Sequence, residues 1–259
     1  MLSTVEMIGL GAVGAIAGAM NAVAGGGTLL TFPMLLAFGT PPIIANATST
    51  VALVIGNAGG MFGYRRHIEP VKPLLRRFIP VSIIGGFIGS VLLTKTSNEA
   101  FAKMIPFLIF FATLLFLGQA AIRRFAGSDA ENSEHPKHHA LWGVIVFQFF
   151  VSIYGGYFGA GIGILMLASL GFIGLSNIHE MNAIKTILGS FINVIASLWF
   201  IFAGLVRWPE TIVMTVGAFA GYFLGAHFSQ RIPQARVRQL VTAIGFTISA
   251  VTFYRQFLR

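Results

Sequence analysis

Apolar runs of about 20 residues, joined by short polar connections, make up most of this chain, and each is long enough to cross a bilayer as a helix. Only 10% of the residues are charged, whereas a soluble domain carries about 25%. The chain therefore cannot cover a water-facing surface, and the sequence predicts an all-α polytopic membrane protein. The runs lie near 5–23, 44–64, 78–94, 104–122, 141–158, 183–205, 211–228 and 240–257.

The net charge of +9 comes from basic residues between the apolar runs. Two loops hold most of them: Arg65, Arg66, Lys72, Arg76 and Arg77 in one, and Arg231, Arg236 and Arg238 in the other. Positive charge next to membrane spans has this distribution, and no basic–aromatic pattern of a nucleic-acid surface is present. Cysteine is absent, which excludes disulfides, thiolate metal sites and cysteine nucleophiles.

The first apolar run also allows a second interpretation, because it ends in an A-x-A pattern, Ala22-Val23-Ala24, like a signal-peptidase site. The apolar residues of this interpretation are 7–24, and the residues before them contain no Lys or Arg, only Glu6. A membrane helix is therefore favoured over a cleaved signal.

Two glycine-rich stretches interrupt the apolar sequence: NAVAGGGTLL at 21–30 and YFGAGIGILM at 157–166. Glycine destabilises a helix interior by about 1 kcal/mol relative to alanine. The apolar segments that follow, 28–38 and 162–175, are too short to cross a bilayer. Each is predicted to be a half-helix or a re-entrant segment, which survives only when protein buries it or when it lines a wet cavity.

The two halves of the chain repeat with a constant offset of 136 residues, which indicates a duplication. The predicted organisation is a first transmembrane repeat at 1–123, a hydrophilic linker at 124–140 and a second repeat at 141–259. Matching pairs include Gly25 with Gly161, Gly27 with Gly163, Asn46 with Asn182, Thr50 with Thr186, Asn57 with Asn193 and Gly85 with Gly221.

Loop charges favour inverted repeats. If loop 65–77 is cytoplasmic, loop 95–103 lies outside. Its counterpart, 229–239, carries three arginines and no acid, and the positive-inside rule places it inside. Each repeat is then a glycine-broken or re-entrant helix pair followed by three transmembrane helices.

Paired breaks at corresponding positions are typical of a transporter site near the midplane. A helix that begins inside the membrane presents unpaired N–H groups and a positive dipole end, which suit an anion. The candidate binding residues flank the two breaks: Asn21, Gly25, Gly26, Gly27, Thr28, Asn46, Ser49, Thr50 and Asn57 in the first half, and Tyr157, Gly161, Gly163, Asn182, Lys185, Thr186 and Asn193 in the second.

Polar residues in these runs have an alternative role, because Asn, Ser and Thr also join membrane helices and glycine permits close packing. Lys185, which replaces Ser49 of the first repeat, is either a fixed or proton-coupled cation of the site or a side chain that reaches the interface. His179 and Glu180 are candidates for proton handling unless they lie in an interfacial loop.

Other chemistry finds little support. The chain contains no P-loop, H-E-x-x-H or G-x-S-x-G motif, so neither a catalytic site nor a cofactor is predicted. His135, His138 and His139 lie in the hydrophilic linker, where solvation is favoured over metal binding, and no metal site is predicted.

The run GAVGAIAGAMNAVAGGGTLLTFPMLLAFGTPPIIANATSTVALVIGNAGG at 11–60 resembles the N-terminal signature of the TauE/SafE family of sulfite exporters. YGGYFGAGIGILMLASLGF and NAIKTILGSFINV resemble the family's second repeat. The resemblance implies an inner-membrane permease for sulfite, sulfonates or related small anions, coupled to the proton gradient. It also implies that Gly25–Thr28 with Asn46–Thr50, and Gly161–Gly163 with Asn182–Thr186, form the two halves of the site.

The sequence thus favours a secondary transporter that alternates access by rocking of its repeats. A passive anion channel on the same scaffold is the alternative, and a membrane enzyme is disfavoured. The expected partners are a small anion and the lipid bilayer, not nucleic acid, and a homodimer is left open.

Overall fold

The computed structural model describes residues 2–23, 26–56, 68–128, 138–173, 175, 177–228 and 234–257. Within these residues all regular structure is helical, which confirms the all-α prediction. Ten helices follow one another: α1 Thr4–Val23, α2 Thr28–Ala37, α3 Pro42–Gly56, α4 Ile68–Lys95, α5 Asn98–Ser128, α6 His138–Tyr157, α7 Ile162–Phe172, α8 Ile178–Phe202, α9 Trp208–Phe228 and α10 Gln234–Phe257.

Several helices have the length and composition of membrane spans. Among the described residues four segments meet both conditions: Thr4–Ala22, Glu69–Lys95, Asn98–Gly118 and Glu180–Phe202. Large apolar side chains point outward, with Phe202 83% and Phe223 72% exposed. An outer surface of this kind suits lipid rather than water, so the chain is a multi-pass membrane protein.

Helices α2 and α7 are the predicted short segments, with 10 and 11 residues. The backbone before each one turns at a glycine with positive φ, which side-chain-bearing residues rarely adopt. Gly26 has a φ of 91° and lies against the ring of Phe116, and Gly161, which precedes α7, has a φ of 82°. Glycine therefore supplies the conformation that lets a new helix begin at each break.

The helix order repeats along the chain, and the helix contacts repeat with it. Helix α5 begins at Asn98 and α10 at Gln234, which is the 136-residue offset found in the sequence. Helix α1 packs along α9, and its counterpart α6 packs along α4. Helix α3 likewise packs on α9, and α8 on α4. Each half thus packs its first helix against a later helix of the other half. Helices α5 and α6 extend into the predicted linker, to Ser128 and from His138.

The α1–α9 pair is held by small residues that let the two backbones touch. A Cβ on Gly221 would collide with the backbone of Ala15, and one on Gly18 with the backbone of Ala218. The α4–α6 pair has the same character, since a Cβ on Gly156 would collide with the backbone of Gly86. Without a hydrophobic driving force in lipid, such close contact is a main source of helix association.

Helices α5 and α10 run in opposite directions. The Ser249 hydroxyl donates to the Pro106 carbonyl over 2.9 Å. Seven residues further along α5, Thr113 lies against Gly245, earlier on α10. Rising residue numbers on α5 therefore meet falling numbers on α10.

Candidate functional site

The start of α2 is satisfied largely by the chain itself. The Asn21 side-chain oxygen accepts the Gly27 N–H over 2.7 Å. The N–H groups of Leu29 and Leu30 bond to the carbonyls of Gly26 and Gly27. Asn21 thus takes the place of a helix cap, and it pairs one of the N–H groups that a helix start otherwise leaves open.

Helix α2 is fastened to α3 by a buried pair of hydroxyls. The oxygens of Thr31 and Ser49 lie 2.6 Å apart, and both residues are fully buried. Sequence reasoning predicted Ser49 but missed Thr31. Its signal was a hydroxyl within a short apolar segment, four residues after Gly27, whose carbonyl it also bonds.

Asn46 joins α3 to the second break. Its side-chain nitrogen donates to the Tyr157 carbonyl over 3.1 Å, at the end of α6. Only 1% of Asn46 is exposed. The Thr50 hydroxyl donates to the Asn46 backbone carbonyl over 2.8 Å, so its hydrogen is engaged within α3. The two breaks are therefore connected through α3, which carries Ser49 toward α2 and Asn46 toward α6.

Two side chains of α8 also lie at the second break. The aliphatic part of Lys185 passes along the first turn of α7, where a Cβ on Gly163 would stand 3.0 Å from its Cδ. The Asn193 side-chain oxygen lies 3.8 Å from the position of a Cβ on Gly159. The second break thus brings together predicted residues from α3, α6 and α8.

Tyr157 ties this break to the connection between α4 and α5. Its hydroxyl lies 3.3 Å from the Thr96 hydroxyl, and its ring meets Phe101 edge-on at 5.6 Å between centroids. The neighbouring Tyr154 hydroxyl donates to the Ala160 carbonyl over 2.8 Å. Both tyrosines hold the non-helical backbone between α6 and α7 in place.

The other predicted residues are less constrained. Thr28, Asn182 and Thr186 are half-buried, and the Thr186 carbonyl accepts the Ser190 hydroxyl over 2.8 Å. Gly25, Asn57 and the side chain of His179 lie outside the described residues. Within the described part of the chain, no three His, Cys, Asp or Glu residues cluster as metal ligands.

A charged pair that the sequence did not assign to the site touches the far side of α3. The backbone N–H of Arg207 donates to the Thr48 hydroxyl over 3.1 Å. The Arg207 guanidinium contacts the buried Glu210 carboxylate at 3.0 Å. These contacts fix the start of α9 beside the helix that carries Asn46.

Comparison with known proteins gives one consistent result. The family described as "Sulfite exporter TauE/SafE" matches residues 10–252. A "Probable membrane transporter protein" of Haemophilus influenzae is 28% identical over 246 residues, 94% of this chain and 93% of that protein. The "Probable membrane transporter protein YfcA" of Escherichia coli K12 is 26% identical over 245 residues, 93% of this chain and 87% of that protein. No solved structure matches this chain.

Proposed function

Since the chain belongs to the TauE/SafE sulfite exporter family, we propose that it is a secondary transporter of small sulfur-containing anions and not an enzyme. Sulfite, sulfonates and related organic anions are the substrate class. Its relatives are named as probable membrane transporters, and its apolar helices fit a multi-pass protein of the inner membrane.

The observation that carries this proposal is the position of Lys185 along the first turn of α7. A helix N-terminus has a positive potential from its N–H groups, and a lysine beside it adds a charge of the same sign. In a region of low dielectric such a combination attracts an anion more strongly than it would in water. Both helix starts have N–H groups bonded to preceding glycine carbonyls, those of Leu29 and Leu30 in α2 and those of Ile162 and Ile164 in α7. The start of α2 lacks the added charge, because Ser49 stands where the second half has Lys185, and its Gly27 N–H is also bonded to Asn21. We therefore centre the anion site on the second break.

Inverted repeats are part of the proposal. Helices α5 and α10 are counterparts under the 136-residue offset, and they pack against each other in opposite directions. A two-fold axis in the membrane plane relates neighbouring counterparts in this way, whereas an axis along the membrane normal makes them parallel. The loop charges favour the same arrangement.

Cysteine labelling tests the inversion, since the chain has no cysteine of its own. Glu99→Cys and Ala235→Cys place single thiols near the starts of α5 and α10, at positions 136 residues apart. An impermeant maleimide is expected to label Glu99→Cys in intact cells. It is expected to label Ala235→Cys only after the cells are permeabilised. Labelling of both variants from one side would contradict inverted repeats.

Alternating access needs two bodies that move against each other around the site. The close α1–α9 and α4–α6 contacts link the repeats, so a whole repeat cannot move without separating backbones that touch. We assign α1 to α3 with α9 to one body, and α6 to α8 with α4 to the other. The Asn46–Tyr157 hydrogen bond spans these bodies and would break as they rock.

Flux into proteoliposomes of the purified protein tests the proposed function. Sulfite is expected to accumulate against its gradient when a pH gradient is imposed, and only to equilibrate without one. Equilibration under both conditions would replace the transporter by a passive anion channel. Absence of flux for sulfite and for a panel of sulfonates and small carboxylates would contradict the proposal.

A further inference from the structure

The Asn46 side-chain oxygen is a buried acceptor without a donor. No hydrogen-bond donor among the described residues lies within reach of this atom, although only 1% of the Asn46 surface is exposed. Buried polar atoms are almost always paired, because an unpaired one costs about 1–3 kcal/mol. An orphaned amide oxygen at a proposed binding site therefore requires an explanation.

The orientation of the amide is fixed by its other half. A backbone carbonyl can only accept, so the group that faces the Tyr157 carbonyl at 3.1 Å must be the NH₂ of Asn46. Turning the amide over would set two oxygens against each other. The oxygen of Asn46 is therefore turned away from the Tyr157 carbonyl. Asn46 and Lys185 lie at the same break, Asn46 against the end of α6 and Lys185 along the first turn of α7.

An acceptor beside an anion site discriminates among anions. Its partial negative charge repels the oxygens of a fully deprotonated oxyanion, but it bonds to an O–H or N–H group carried by the ligand. Resting on the proposed function, we propose that the site selects anions that themselves carry a hydrogen-bond donor. Lys185 and the α7 N-terminus attract the negative oxygens, and Asn46 accepts the donor.

A site that requires a hydrogen-bond donor on the anion narrows the proposed substrate class. For sulfite, it favours the singly protonated ion over the dianion. For sulfonates, it favours those with a hydroxyl or amino group near the sulfonate over simple alkyl sulfonates. Entry of the protonated ion also brings a proton with the anion.

Competition against sulfite uptake in proteoliposomes tests the inference. The probes are ethanesulfonate, which has no donor, and 2-hydroxyethanesulfonate and 2-aminoethanesulfonate, which have one. At least one donor-bearing probe is expected to compete about tenfold better than ethanesulfonate, the effect of one satisfied buried acceptor. Sulfite uptake at constant total sulfite is expected to rise as the pH falls and the protonated ion increases.

The Asn46→Leu variant removes the acceptor, and the preference for donor-bearing probes is expected to disappear. Thr242→Val is the matched control, because it removes another buried oxygen without a partner among the described residues, on α10. If Asn46→Leu does not fold, the preference of the unmodified protein still decides the matter. Sulfite uptake with equal competition by all three probes would overturn the selection while leaving the transporter proposal intact. Absence of any anion uptake would overturn the transporter proposal itself.

Discussion

The Gly221→Ala variant is expected to lose much of its stability. A single Cβ at this position would collide with the backbone of Ala15, and no flexible side chain is there to move aside. Helices α1 and α9 would have to separate along their whole contact. Overpacking of this kind costs about 1–3 kcal/mol and more when the obstacle cannot relax. We expect a loss of at least about 3 kcal/mol, measured by thermal or denaturant unfolding in detergent.

Gly143→Ala provides the matched control on a comparable helix. A Cβ at Gly143 would meet nothing within 4 Å, so the substitution brings only the gain in helix propensity, about 1 kcal/mol in the opposite direction. Equal unfolding midpoints for the two variants would show that the α1–α9 backbones do not touch as described.

The sequence was sufficient to predict features that depend on local chemistry. The two half-helices could be found because glycine disfavours a helix interior and because about ten apolar residues are too few to cross a bilayer. The structure confirms a short helix at each position, α2 Thr28–Ala37 and α7 Ile162–Phe172.

Contacts between distant residues could not be predicted. Asn46 and Tyr157 were both candidate binding residues, but nothing in the sequence indicated that they form a hydrogen bond with each other, because they are 111 positions apart. The pairing of Asn21 with Gly27 was equally hidden, and it makes the two breaks chemically unlike. A repeat in the sequence suggests two equal half-sites, whereas side chains outside the repeat pattern decide which N–H groups are already bonded. The packing of α1 on α9 could not be predicted for the same reason. The 136-residue offset identifies which helices correspond in the two halves, but not which helices are neighbours in space.

The Lys185→Ser variant is expected to lose anion transport while it keeps its fold. Serine is the residue at the matching position of the first half, so helix geometry and polarity are retained and the charge is removed. Loss of a partly buried charge from an ionic contact costs about 2–5 kcal/mol, so we expect sulfite uptake to fall by at least about 30-fold. Proteoliposome flux at matched protein content measures the change, and an unaltered unfolding midpoint shows that the fold remains.

Two further lysine variants separate the site from general charge effects. Lys185→Arg keeps the positive charge and should retain part of the uptake, with altered geometry at Gly163 because guanidinium is planar and larger. Lys103→Ala removes an exposed lysine from α5 and should leave uptake unchanged. Equal uptake by the unmodified protein and Lys185→Ser would instead show that the lysine only packs along α7. The anion would then have to be bound by backbone N–H groups and asparagines alone.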